Sequence, residues 1–153
     1  MIFPYVKVVD FPNHKKRENV LPWIRFGLFN PNNKSNMLYA LGLVDSGSEL
    51  TFVDHEIGEA LGFDIKSGSK VEVTGVGGGK IIVYLHKVGL TIGDADKRNV
   101  LSVEDFIAFS YNKFPSSMPQ QTAILGTVGF FRNFCVTFNF PDYISIDKLK
   151  IAN

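Results

Sequence analysis

Short apolar runs rich in aromatic and β-branched residues, each cut off by a cluster of Gly, Pro, Asn or Ser, recur along the whole chain. Fourteen Phe and 5 Tyr stand among many Val, Ile and Thr, with 14 Gly and 7 Pro to punctuate them. Runs of this kind fit pleated, half-buried strands and are too short for core helices, so the expectation is an all-β fold. At 153 residues and 45% hydrophobic, the chain can enclose one core. It shows no internal repeat, low-complexity tract or linker, and reads as a single domain over residues 1–153.

Charge and cysteine usage narrow the function classes. Sixteen Lys+Arg against 15 Asp+Glu leave a net charge of +1, without the basic surplus of a nucleic-acid module or a polybasic membrane binder. The single cysteine, Cys135, excludes an internal disulfide framework and permits a reducing compartment. The opening MIFPYVKVVDF lacks the basic start, apolar run and small-residue cleavage site of a signal peptide. The segment closest to a membrane span, residues 38–44, is interrupted by Gly42 and ends at Asp45. A soluble, cytoplasmic protein that binds neither nucleic acid nor membrane is expected.

Residues 22–29 (PWIRFGLF) read as a strand, 30–36 (NPNNKSN) as a dense turn, and 37–44 (MLYALGLV) as a returning strand. The near-continuous apolar character of 37–44 predicts burial on both faces. Residues 54–61 (DHEIGEAL) form a helix candidate with Asp54 as its cap and Gly62 at the left-handed C-terminal position. Residues 70–76 and 80–92 make two strands around a glycine-rich tip, and 127–134 are a second helix candidate. Residues 135–140 (CVTFNF) return to strand alternation, whereas 106–121, with two prolines among Ser, Gln and aromatics, read as a long loop.

The sharpest chemical feature is Leu43-Val44-Asp45-Ser46-Gly47-Ser48, a carboxylate emerging from an apolar strand into a Ser-Gly turn. An Asp at the end of a buried strand needs hydrogen bonds or must take up a proton. The Gly47 and Ser48 N–H groups and the Ser48 hydroxyl are placed to supply such bonds. Further along, Ala123-Ile124-Leu125-Gly126 sets an apolar pair before a glycine.

With Thr51-Phe52-Val53 after the turn, the hairpin around Val73-Thr74-Gly75-Val76-Gly77-Gly78-Gly79, Phe130-Phe131 and the strand at 136–140, the chain resembles the retropepsin-like aspartic proteases, the family of the retroviral proteases. The resemblance runs from about Trp23 to Phe140. It implies a small, partly open β-barrel with one flap and one or two short helices, the second after Gly126. It also implies an acid protease that hydrolyses peptide bonds in extended polypeptides with two carboxylates sharing a proton.

Asp45 is the only Asp followed by Ser/Thr-Gly; Asp54, Asp64, Asp94, Asp105 and Asp142 lack that turn. The resemblance therefore implies a homodimer with Asp45 facing Asp45 across a two-fold axis. Ser46 takes the position whose hydroxyl bonds across that axis. Gly47 lets backbone pass close to the carboxylates, and a Ser48 hydroxyl is expected to donate to the outer Asp45 oxygen and favour an acidic optimum. Thr74, Gly75, Val76, Gly77, Gly78 and Gly79 correspond to the flap, whose backbone bonds an extended substrate. Ile124, Leu125 and Gly126 form the structural motif beneath the loop. No cofactor or metal is implied, and the partners are a polypeptide substrate and a second copy of the chain.

Thr127 stands where many members carry Arg, Asn or Asp, and Glu49 stands in the acidic position that such an Arg ties down, with Arg132 and Arg25 as candidate counter-charges. The alternative function is a retropepsin-fold module that dimerises or holds peptides without cutting them. Other constellations are weaker. His55-Glu56-Ile57-Gly58-Glu59 lacks the second histidine of a zinc-hydrolase helix. As a phosphate loop the glycine-rich tip fails, because Lys80 precedes Ile81 and Thr74 stands at the first glycine position. Lys15-Lys16-Arg17 is too short to define a partner. Phe106, Phe109, Tyr111 and Phe114 could line a substrate groove, but most of them are expected to pack in the core.

Overall fold

In a computed structural model, residues 1–8, 19–75, 78–94, 98–112, 114 and 121–149 are described. The apolar runs become strands, and the fold is all-β. In chain order these are β1 (Ile2–Pro4), β2 (Val6–Val8), β3 (Asn19–Leu21), β4 (Trp23–Asn30), β5 (Asn33–Val44), β6 (Phe52–Val53), β7 (Ser69–Thr74), β8 (Lys80–Gly93), β9 (Val100–Ser110), β10 (Ala123–Leu125), β11 (Phe134–Asn139) and β12 (Tyr143–Lys148). Among the described residues, one helix, α1 (His55–Ala60), and a 3₁₀ turn at Ile65–Ser67 interrupt them. No helix among the described residues is long and apolar enough to cross a membrane.

The main sheet runs β4-β5-β10-β6-β9-β8-β7, and β4 also pairs with β8. Six strands thus close into a ring with β7 outside it, which corrects the expectation of a partly open sheet. Two glycines make the closure possible. A Cβ on Gly89 would lie 2.1 Å from the Phe29 ring, and one on Gly27 would lie 2.3 Å from Thr91 Oγ1, so at this seam the side chain of each facing residue takes the space a Cβ would need. Phe26, Leu28, Leu90, Ile107, Phe109 and Leu125 fill the interior, each contributing about 2–3 kcal/mol by leaving water.

A second sheet, β1-β12-β11, joins the two ends of the described chain, with Ile2 opposite Ser145 and Pro4 opposite Tyr143. Buried Phe134, Ile144 and Ile146 carry this sheet onto the same core. Strands β2 and β3 form a separate pair.

Several expectations change. Strand β5 is not buried on both faces: Met37 and Tyr39 are exposed while Ala40, Gly42 and Val44 are buried, because beyond β4 the outer face of this strand meets solvent. Only Pro31 and Asn32 of the dense turn lie outside strands. Residues 106–110 belong to β9, not to a loop, and pair with β8 through Val83↔Ser110. The second helix candidate is absent: residues 127–133 form turns, broken at Val128 by a bridge to Leu50, and Phe134 opens β11. Gly129 sits there at φ +93°, left-handed backbone that ends any right-handed helix. Helix α1 forms as expected, capped by Asp54 and followed by Gly62 at φ +83°.

On the surface, Lys34 and Lys87 from β5 and β8 reach the two oxygens of Glu104 on β9, at 2.9 and 3.3 Å. The Lys34 and Lys87 hydrogen bonds hold the Glu104 carboxyl below its ordinary 4.5. A carboxyl depressed on folding stabilises above its unfolded value and loses that contribution as pH falls through the folded one. The melting-temperature difference between wild type and Glu104→Gln is therefore expected to be small at neutral pH, to shrink in high salt, and to shrink further as pH falls below the ordinary 4.5.

Candidate active site

Asp45 follows directly on β5, and its placement is set by the short strand β10. β10 lies between β5, which it pairs in parallel with Val44 opposite Leu125, and β6, which it pairs antiparallel with Phe52 opposite Ile124. The Asp45 N–H donates to the Leu125 carbonyl at 3.0 Å, so the ladder continues one residue beyond the strand. There the chain turns. The Gly47 N–H donates to Asp45 Oδ1 at 2.9 Å, and the Ser48 N–H to the Asp45 carbonyl at 3.2 Å. A Cβ on Gly47 would stand 3.2 Å from Asp45 Oδ1 and crowd the carboxylate. Asp45 is half-buried, while Ser46 and Gly47 are exposed.

The returning arm of the turn is laced to the segment after β10. Thr127 N–H donates to Ser48 O (2.9 Å), Val128 N–H to Glu49 O (2.9 Å), and Thr51 N–H to Val128 O (2.8 Å). The fully buried Thr51 hydroxyl accepts from the Gly126 N–H at 3.1 Å and lies 3.4 Å from the Gly126 carbonyl. Gly126 itself admits no side chain: a Cβ would meet Leu50 O at 2.2 Å and Ser48 O at 2.7 Å. Asp45-Ser46-Gly47-Ser48 and Ile124-Leu125-Gly126, some 80 residues apart in sequence, are thus one hydrogen-bonded unit.

The Ser48 hydroxyl does not serve Asp45. It donates to the Leu50 carbonyl at 2.8 Å, and this corrects the expectation of a bond to the outer carboxylate oxygen. Ser48→Ala consequently bears on the loop and not on a bond to Asp45. Glu49 makes no ion pair among the described residues; Arg132, one of its candidate partners, binds Asp105.

Thr74 ends β7, and Gly75, Gly78 and Gly79 carry the chain back to Lys80 on β8, with Gly75 N–H on Gly79 O at 2.8 Å and Gly78 at φ +81°. Val76 and Gly77 lie outside the described residues. The base of this hairpin packs on the same small apolar cluster as the Asp45 turn. Val71, Val73, Val83 and Leu85 from the hairpin meet Leu50, Phe52, Ile124 and Val128. Phe114 joins that cluster, Phe109 is fully buried in the main core, and Phe106 and Tyr111 are exposed, so two of the four aromatics leave the core. A groove lined by Arg25, Met37, Tyr39, Thr91 and Val100 does not include the Asp45 turn.

Asp54, a buried acid, has a structural task. One carboxylate oxygen accepts from the Glu56 N–H at 3.0 Å, capping α1, and the other from the Phe114 N–H at 2.8 Å. Asp54→Ala leaves both donors unpaired and is expected to cost about 2 kcal/mol. The corresponding drop of roughly 6 °C in melting temperature is measurable by circular dichroism.

What the sequence reading missed is the role of Asp105. In β9, Leu101, Val103, Asp105, Ile107 and Phe109 share one phase of the strand, so an acid stands on the inward, apolar phase. That alternation was the available signal, because a carboxylate at such a position needs strong donors. Arg132 and Asn133 supply them.

No family model and no curated protein matches the chain.

Proposed function

We propose that the chain is a retropepsin-like aspartic endopeptidase acting as a homodimer, with Asp45 from each copy forming the catalytic pair. The observation that carries this reading is the way Asp45 is held. Its carboxylate sits just beyond the end of β5, oriented by the Gly47 N–H, on a turn whose far arm is bonded to the segment around Gly126. Such a turn keeps a carboxylate fixed at the surface, with one oxygen bonded and the other open to a second group.

A single Asp-Ser-Gly turn supplies one acid, and proton sharing needs two at contact distance. The two-fold partner contributes the second. Like charges so close cannot both ionise, so one carboxyl keeps a proton while the other is charged, and the pair titrates as a unit. The ionised member draws a proton from a bound water as that water attacks the peptide carbonyl, and the protonated member donates to the carbonyl oxygen. The exposed Ser46 stands where the facing turn would arrive. The hairpin of Thr74, Gly75, Gly78 and Gly79, anchored on the cluster it shares with Leu50 and Phe52, is the flap of this reading. It offers backbone groups to an extended chain.

Incubation with a random peptide pool between pH 4 and 7, with and without a statine-type inhibitor, tests the activity. Internal cleavage that the inhibitor abolishes is expected. An intact pool at every pH, from protein shown to be dimeric by sedimentation, would overturn the reading.

A further inference from the structure

Bonds inside the Asp45 turn shape its far arm, but bonds from outside the turn tie that arm to the rest of the fold. The bonds from Thr127 and Val128 to Ser48 and Glu49 transmit whatever position residues 126–133 adopt. Those residues are turns without a helix's continuous ladder. Their internal bonds span irregular intervals, Phe131 N–H to Gly126 O, Arg132 N–H to Thr127 O and Asn133 N–H to Phe130 O. At the far end of this segment, Arg132 places its guanidinium on both Asp105 oxygens, and the Asn133 amide donates to one of them and approaches Gly129 O at 3.4 Å. The Phe106 N–H adds a further donor to Asp105. Asp105 is 6% exposed and stands on the inward phase of β9, whereas the Arg132 side chain is 46% exposed.

We propose that Asp105 is a positioning residue: through Arg132 and Asn133 it clamps residues 126–133 to β9 and so fixes the register of the Asp45 turn. A fork of two parallel charge-assisted bonds fixes orientation as well as distance, which a lysine cannot do. Gly129 shows how close the clamp draws the segment: a Cβ there would lie 2.8 Å from Phe106 O and 3.0 Å from Thr51 Cβ. The segment is thus pressed between β9 and the residue that bonds Gly126. The catalytic consequence rests on the peptidase reading; the mechanical one does not.

The test reads both separately, on the full chain. In Arg132→Ala and in Arg132→Lys, amide hydrogen exchange is measured residue by residue, together with kcat and KM for a cleaved peptide. In Arg132→Ala, exchange at Asp45, Thr51, Thr127 and Val128 is expected to quicken about 10–100-fold, with amides of the β4–β5 and β8–β9 ladders unchanged. kcat should fall by a similar factor at nearly constant KM. Arg132→Lys is expected to restore the charge but only part of the protection, and Asp105→Asn to resemble Arg132→Ala. Exchange that stays at wild-type rates in the Asp45 turn, or that quickens equally across all strands, overturns the clamp. An inactive wild type whose variants show the selective exchange change supports the clamp and removes only the peptidase reading.

Discussion

Replacing Asp45 with Asn will reduce peptide-bond hydrolysis by about 10⁴-fold, a loss of roughly 5 kcal/mol of transition-state stabilisation. The fold and the dimer will remain. The amide is nearly isosteric, and its oxygen can still accept from the Gly47 N–H that holds Asp45 Oδ1, so the turn has no reason to move. What disappears is the ability to carry a negative charge, and with it the base that takes the proton of the attacking water. Hydrolysis at saturating peptide, near-ultraviolet circular dichroism and sedimentation together check the outcome. Activity within tenfold of wild type in a folded dimer would show that Asp45 is not the base. Mixing sharpens the test. When wild-type and Asp45→Asn chains are co-refolded in equal amounts, only about a quarter of random two-fold dimers hold both carboxylates. Activity per wild-type chain should then fall to roughly half, and further as the variant is added in excess. An acid pair lying within one chain would give no loss per wild-type chain at all.

How much of this was legible in the sequence depends on the range of the interaction concerned. Local features read well. Asp54 and Gly62 bracket α1 because capping is decided by a residue's own side chain and backbone preference. The Asp45 turn and the β7–β8 hairpin follow from glycine placement and apolar runs. Features set by distant contacts read poorly. Residues 127–134 look helical until Gly129 is pulled to positive φ by packing between Phe106 and Thr51. Residues 106–110 look like a loop because their aromatics precede a Pro- and Ser-rich stretch, yet β8 supplies the ladder that makes them a strand. The three-residue strand β1 is too short to show alternation, and exists through its pairing with β12. Arg132 stands in the sequence as one candidate counter-charge for Glu49, beside Arg25, whereas the fold gives it to Asp105 on the inward phase of β9.

Gly126 tests the other half of the site, the part that is scaffold. Gly126→Ala is expected to destabilise the chain by about 3 kcal/mol and to lower its melting temperature by roughly 10 °C. This is out of proportion to the addition of one methyl group. Here that methyl would lie 2.2 Å from Leu50 O, 2.6 Å from Leu50 C and 2.7 Å from Ser48 O. All three are backbone atoms, so no flexible side chain can swing aside, and relief requires the arm 48–50 to separate from residues 126–128. That separation breaks the bonds from Thr127 to Ser48, from Val128 to Glu49 and from Thr51 to Val128, and it lifts the Thr51 hydroxyl from Gly126. Gly79→Ala is the matched control. No atom stands within 4 Å of its Cβ, so the same methyl there should change stability by less than about 1 kcal/mol. Thermal melts of the two variants side by side isolate the effect of position from that of composition. Equal stability of Gly126→Ala and wild type would mean that the Asp45 turn and the β10 segment are not in backbone contact. Asp45 would then lose the support that makes it a candidate for chemistry at all.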